Sequence, residues 1–88
     1  MVNNRRSEFD IISQILRLAR DGAKKTEILY QSNMSYIQLK NYLLFLIDKN
    51  ILEEQIVKEN GGMYKIYKNT EKGSNLLTDI DKTLSYFQ

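Results

Sequence analysis

The Asn60–Gly61 dipeptide most constrains what this chain can fold into. It is the strongest short hairpin signal available, because both residues tolerate the positive φ that a two-residue turn requires. The runs on either side, Ile51 to Lys58 and Met63 to Lys68, are enriched in Ile, Val and Tyr and read as two strands. Tyr64 and Ile66 alternate against Lys65 in the second run. In the first, Leu52, Glu54 and Ile56 share one side and Glu53, Gln55 and Val57 the other. These faces are imperfectly sorted, so the pattern leaves the register open.

The rest of the chain carries helical spacing. After a polar opening, Met1 to Arg6, the pair Ser7 and Asp10 marks a helix start near Glu8. Phe9, Ile12, Ile15, Leu16 and Ala19 recur at steps of three and four, with Asp10, Ser13, Gln14, Arg17 and Arg20 opposite, and Gly22 ends the run. A shorter helix is expected from about Lys24 to Ser32, followed by a turn at Ser32 and Asn33. Ser35 and Gln38 form a capping-box pattern that starts a third helix at Tyr36. That helix runs to about Lys49 with Leu39, Leu43, Leu46 and Ile47 inside, and Asn50 is suited to close it in left-handed geometry. Thr70 caps a terminal helix over 70–88 whose apolar stripe is Leu76, Leu77, Ile80, Leu84 and Phe87. Gly73 in its first turn runs against helix propensity.

The expected fold class is therefore mainly α with a small β-hairpin, one domain over 1–88 with a polar arm at 1–6. Thirteen Lys plus Arg against 11 Asp plus Glu leave a net charge of +2, which is mildly basic and no polycationic tail. With no Cys and no His in 88 residues, disulfides, thiolate or imidazole metal sites and the common nucleophile systems are excluded. Glu53 and Glu54 point to opposite strand faces, and Asp79 and Asp81 are two apart on a helix, so neither pair makes a general acid and base. The Gly61–Gly62 pair sits in a hairpin tip and not in a phosphate loop. No enzyme, cofactor or small-molecule ligand is expected. No signal-peptide pattern opens the chain and no apolar run approaches the length of a membrane span, so the expectation is a soluble, intracellular protein.

Helix, short helix, turn, longer helix, hairpin, helix is the order of a winged helix-turn-helix. The stretch GAKKTEILYQSNMSYIQLKNYLLFLIDKNIL, from Gly22 to Leu52, followed by TEKG from Thr70 to Gly73, resembles archaeal winged-helix DNA-binding proteins. More narrowly it is similar to the predicted transcriptional regulators and chromatin-type proteins of the Sulfolobus "ten-a" family. The resemblance extends from about Ser7 to Leu84. It implies a winged-helix fold, antiparallel pairing of terminal helices into a homodimer, and binding to double-stranded DNA, with a cytoplasmic, nucleoid-associated location. Asn69 departs from the apolar residue that usually closes the second strand of this fold, and the terminal helix is shorter than the long paired helix of the chromatin members.

In such a motif the second helix of the pair enters the major groove. Turning from Leu39, its outward sector holds Ile37, Gln38, Lys40, Asn41, Leu44, Phe45 and Asp48. Gln38 and Asn41 suit an adenine edge, Lys40 phosphate or guanine, and Ser35 and Tyr36 phosphate near the helix start. The absence of Arg on this helix favours A·T-leaning or weakly specific binding. Lys24 and Lys25 are placed for flanking phosphates, as are Lys58, Lys65 and Lys68 on the hairpin, where Glu53, Glu54 and Glu59 dilute the charge. Arg5 and Arg6 suit a minor-groove arm. Leu44 and Phe45 make the second half of the reading helix apolar nearly all round, so cover from the wing or the terminal helix is expected there. Leu76, Leu77, Ile80, Leu84 and Phe87 are the expected dimer interface. Two other readings stay open: a protein-binding module using Leu44, Phe45 and the terminal helix, and single-strand binding by stacking on Tyr64 and Tyr67.

Overall fold

A computed structural model describes residues 8–88. Its elements are α1 (Glu8–Leu18), α2 (Lys25–Ser32), α3 (Tyr36–Asp48), β1 (Leu52–Glu59), β2 (Gly62–Asn69) and α4 (Glu71–Ser85), in the order expected. The arm with Arg5 and Arg6, and the Ser7 cap, lie outside the described residues.

Local chemistry sets most of the boundaries. In α1, Glu8 and Asp10 stand in the first turn and Arg17 in the last, each favourable to the helix dipole. The carboxylate of Glu27 accepts from the Lys24 amide at 3.0 Å and so satisfies a donor at the start of α2. The hydroxyl half of the expected capping box forms, with Ser35 Oγ accepting from the Gln38 amide at 3.1 Å. At the other end of α3, Ile51 N–H donates to the Leu46 carbonyl (2.8 Å) and Asn50 N–H to the Ile47 carbonyl (2.9 Å), with Asn50 at φ 61°. This is a Schellman closure with asparagine at the left-handed position. Asn33, at φ 57°, ends α2 in the same conformation. Asn60 and Gly61 both hold positive φ, 51° and 78°, as a two-residue hairpin turn demands.

The two strands pair antiparallel from Leu52 opposite Asn69 to Glu59 opposite Gly62. Ala23 adds a single bridge to β2, exchanging both backbone bonds with Tyr67 at 2.9 and 2.8 Å, so the segment before α2 is fastened to the base of the wing. Only that base enters the core. Leu52, Tyr67 and Asn69 are buried, whereas Ile56 and Met63 further out are 60% and 70% exposed. The core itself is built by Ile15 and Leu16 of α1, Ile28 of α2, Leu39, Leu43 and Leu46 of α3, Leu52 and Tyr67 of the sheet, and Leu77 and Ile80 of α4.

Three details differ from the helical spacing. Phe9, on the apolar side of α1, is 60% exposed, because it stands one turn beyond Ile12 where only α4 lies beside it. Ser13, on the polar side, is buried, and its hydroxyl is satisfied within the helix by donating to the Asp10 carbonyl at 2.9 Å. The terminal helix ends at Ser85, so Phe87 lies past it in a turn.

Candidate nucleic-acid interface

The sequence folds locally so that α2, a short turn and α3 present one end of each helix together. Lys24 is the residue preceding α2, and its ammonium lies 4.4 Å from the centre of the Tyr64 ring on β2. Lys25, the first residue of α2, lies over the Tyr36 ring at 5.1 Å and donates to the Tyr36 hydroxyl at 3.4 Å. Two consecutive lysines thus reach in different directions, one to the wing and one to the first turn of α3. Each such contact on an exposed ring is worth about 0.5–1 kcal/mol, enough to bias a lysine rotamer but not to hold the fold. The structure therefore brings Lys25 to the start of α3, where Ser35 and Tyr36 stand, and Lys24 to the wing.

Along α3, Ile37, Gln38, Lys40, Asn41, Leu44, Phe45 and Asp48 are all exposed, as the sector count requires. Counting about 100° per residue, Gln38 and Lys40 stand roughly 160° apart, on opposite flanks of the line through Ile37, Asn41 and Leu44. The two flanks therefore face different strands of anything laid along the helix.

The wing is electrostatically mixed. Lys65 pairs with Glu54 at 3.6 Å across the sheet, both about half exposed, which partly neutralises it. Among the described residues the one other ion pair is Arg17 with Asp81, linking α1 to α4. Lys58 sits near the tip, beside Glu59, Asn60 and Gly61. Tyr64 donates its hydroxyl to the Glu59 carboxylate at 3.0 Å. That hydrogen bond to an acid holds the phenol above its ordinary pKa, so Tyr64 stays protonated beneath Lys24. Tyr64 was not among the phosphate-contact residues suggested by sequence. Its part in orienting Lys24 depends on a contact forty residues apart, for which neither segment carries a local signal. Tyr67 is buried and bonded through its backbone to Ala23, so it offers no stacking face.

The second half of α3 is not covered. Leu44 is 56% and Phe45 50% exposed, against the expectation of cover by the wing or the terminal helix. The wing projects away from the core, and α4 packs mainly on α1. Phe45 instead borders a groove of about 240 Å³ with Glu8, Ile12, Asn41 and Tyr42. On α4, Leu77 and Ile80 are buried in the chain's own core and Leu76 and Leu84 are half-buried; past its end, Tyr86 and Phe87 are 81% and 83% exposed. Phe9, Leu76, Ile80, Thr83 and Leu84 line a second groove of about 250 Å³ between α1 and α4. Among the described residues no cluster of acidic side chains could hold a metal ion, and no helix is long and apolar enough to cross a membrane.

Comparison with known proteins agrees with this architecture. The winged helix-turn-helix family profile matches residues 5–86. Two uncharacterised proteins of Methanocaldococcus jannaschii are each 29% identical, one over 77 residues (86% of this chain, 71% of that protein) and one over 79 residues (89% and 34%). The chain thus spans about a third of the second relative's length. The crystal structure of Sso10a-2, a DNA-binding protein from Sulfolobus solfataricus, superposes with a TM-score of 0.74 at 30% identity, covering 92% of this chain and 81% of that one.

Proposed function

The chain belongs to the winged helix-turn-helix family and is similar to archaeal members of it, and from that premise we propose that it binds double-stranded DNA. In this reading the N-terminal half of α3 enters the major groove and the β1–β2 hairpin lies against the adjacent backbone. One observation carries it. Ser35, Gln38, Lys40 and Asn41 are all exposed on α3 and its cap, with Lys25 lying over Tyr36 at the helix start and Lys24 over Tyr64 on the wing. Lys24, Lys25, Lys40 and Lys58 would supply phosphate contacts and most of the affinity, Ser35 and Tyr36 would hold phosphate at the helix start, and Gln38 and Asn41 would supply base preference. Lys65 contributes less, because Glu54 already engages it. The similarity to a protein described as DNA-binding supports the same conclusion.

The functional role that follows is non-enzymatic: transcriptional regulation or local organisation of DNA, in the cytoplasm and on the nucleoid. The acting unit in this proposal is a homodimer joined through α4. Because Leu77 and Ile80 are spent on the chain's own core, the joining surface narrows to Leu76, Leu84 and Phe87, with Phe9 beside them.

Fluorescence anisotropy against duplex and single-stranded DNA over a range of salt tests the proposal. Preferential duplex binding that weakens steeply with salt is expected, and Lys40→Ala should flatten the salt slope by about one. Absent or salt-indifferent binding would favour a second reading, a module that docks on protein, for which the exposure of Leu44 and Phe45 is the specific support.

A further inference from the structure

We propose that Ile37 is a specificity residue that reads thymine, its side chain meeting the 5-methyl group in the major groove. The inference rests on the DNA-binding role proposed for α3.

Ile37 is 71% exposed, the most exposed aliphatic side chain among the described residues. It is the second residue of α3 and belongs neither to the core nor to the apolar residues packed against it. The helix is anchored instead by Leu39, Leu43 and Leu46, all buried, and a polar straight-chain residue at position 37 would favour the helix slightly more. Its place on the helix is specific. Counting about 100° per residue from Leu39, Ile37 lies on the outward line, four residues before Asn41 and therefore beside it. It also stands in the N-terminal half of α3, which is the part of a reading helix that meets base edges.

The chemistry then selects the base. In the major groove the thymine methyl is the one apolar group that any base pair displays, and an exposed aliphatic side chain has nothing else there to contact favourably. Asn41, its neighbour, carries the amide that matches the adenine edge of the same kind of pair. No Arg lies on α3 to prefer guanine. An aliphatic side chain and an amide side by side match the two halves of an A·T pair. Lys40 and Tyr36, over which Lys25 lies, stand on one flank of Ile37 for the backbone, and Gln38 stands on the other. Leu44 continues the apolar line, but two turns further on, toward the end of the helix that leaves the groove.

The test compares duplexes of alternating dA and dT with the same duplexes carrying dU, which lack only the methyl group. Wild-type protein is expected to bind the dT duplex tighter by about fourfold for each methyl buried. Ile37→Ala should bind the two duplexes alike while keeping its salt slope, and Ile37→Val should keep part of the difference. An alternating dG and dC duplex containing 5-methylcytosine, which carries a methyl at the corresponding place, should bind wild type tighter than its unmethylated form and should not do so for Ile37→Ala. Equal binding of dT and dU duplexes by wild type, or discrimination that survives in Ile37→Ala, overturns the role of Ile37 and leaves the DNA-binding proposal standing. Failure of wild type to bind any of these duplexes overturns both.

Discussion

A Cβ at position 73 would stand 2.1 Å from the Ile51 carbonyl oxygen, far inside any tolerable contact. That oxygen also accepts from the Thr70 amide at 3.1 Å, and the Thr70 hydroxyl in turn accepts from the Gly73 amide at 3.0 Å. Gly73 is therefore what lets the first turn of α4 close on the end of α3. Two effects oppose one another in Gly73→Ala: alanine favours a helix by about 1 kcal/mol, while the clash is with backbone that cannot rotate away. The clash should win, and chemical denaturation should show a net loss of about 2–3 kcal/mol. A neutral or stabilised variant would mean that α4 can shift off Ile51. Asn69 shows a similar exchange. Where the fold usually has an apolar residue, its buried side chain donates to the Leu16 carbonyl at 2.8 Å and its amide to the Ala19 carbonyl at 3.2 Å. It caps the end of α1 from the end of β2, which offsets the burial of its Nδ2, while its Oδ1 is buried without a hydrogen-bond partner.

At the scale of elements, α3 carries its own punctuation, with Ser35 before it and Asn50 after it, and both ends were legible in the sequence. The wing was legible at its turn but not in its faces. In its outer half one side, with Gln55, Val57, Tyr64 and Ile66, is only half-buried, so the sorting into inner and outer sets is weak, and register is fixed by the Asn60–Gly61 turn and by burial of Leu52 and Tyr67 at the base. The start of α3 permits a separation of stability from binding. Ser35→Ala removes the cap and should cost about 1 kcal/mol. Ser35→Asp keeps a capping oxygen and should leave stability near that of wild type, yet weaken duplex binding roughly tenfold at low salt if a phosphate lies there. Thermal denaturation beside anisotropy on the same samples separates the two, and unchanged duplex affinity in Ser35→Asp would remove Ser35 from the interface.

For the whole molecule, the question is how much apolar surface an 88-residue chain leaves uncovered. A small core cannot enclose every large side chain, and among those left exposed here are Leu44 and Phe45 on α3 and Phe9, Tyr86 and Phe87 by α1 and the end of α4. The region formed by α1 and α4 is the one proposed for pairing. Sedimentation should find a dimer at micromolar concentration, and Phe87→Glu should shift it toward monomer with little change in the protomer's fold, because Phe87 is 83% exposed. The salt slope of duplex binding should fall to about half in that variant, since each protomer would bring its own phosphate contacts. A wild-type monomer, or a variant that stays dimeric, would place the pairing surface elsewhere.

The order of elements and nearly all their ends were determined by the sequence alone, because helical period, caps and the Asn–Gly turn act among residues within a few positions of one another. The outward sector of α3 was determined in the same way, since the buried Leu39, Leu43 and Leu46 fix its rotation. What tertiary structure decided was which apolar residues are covered and which polar ones are used. Phe9 obeys the same periodicity as its buried neighbours but has only an open groove beside α4 next to it, whereas Ser13 is enclosed and Gly73 is indispensable for reasons that lie on other segments. Burial depends on what stands opposite a residue, and Lys24 over Tyr64 or Asn69 against Leu16 joins positions forty and fifty-three residues apart that no local pattern relates.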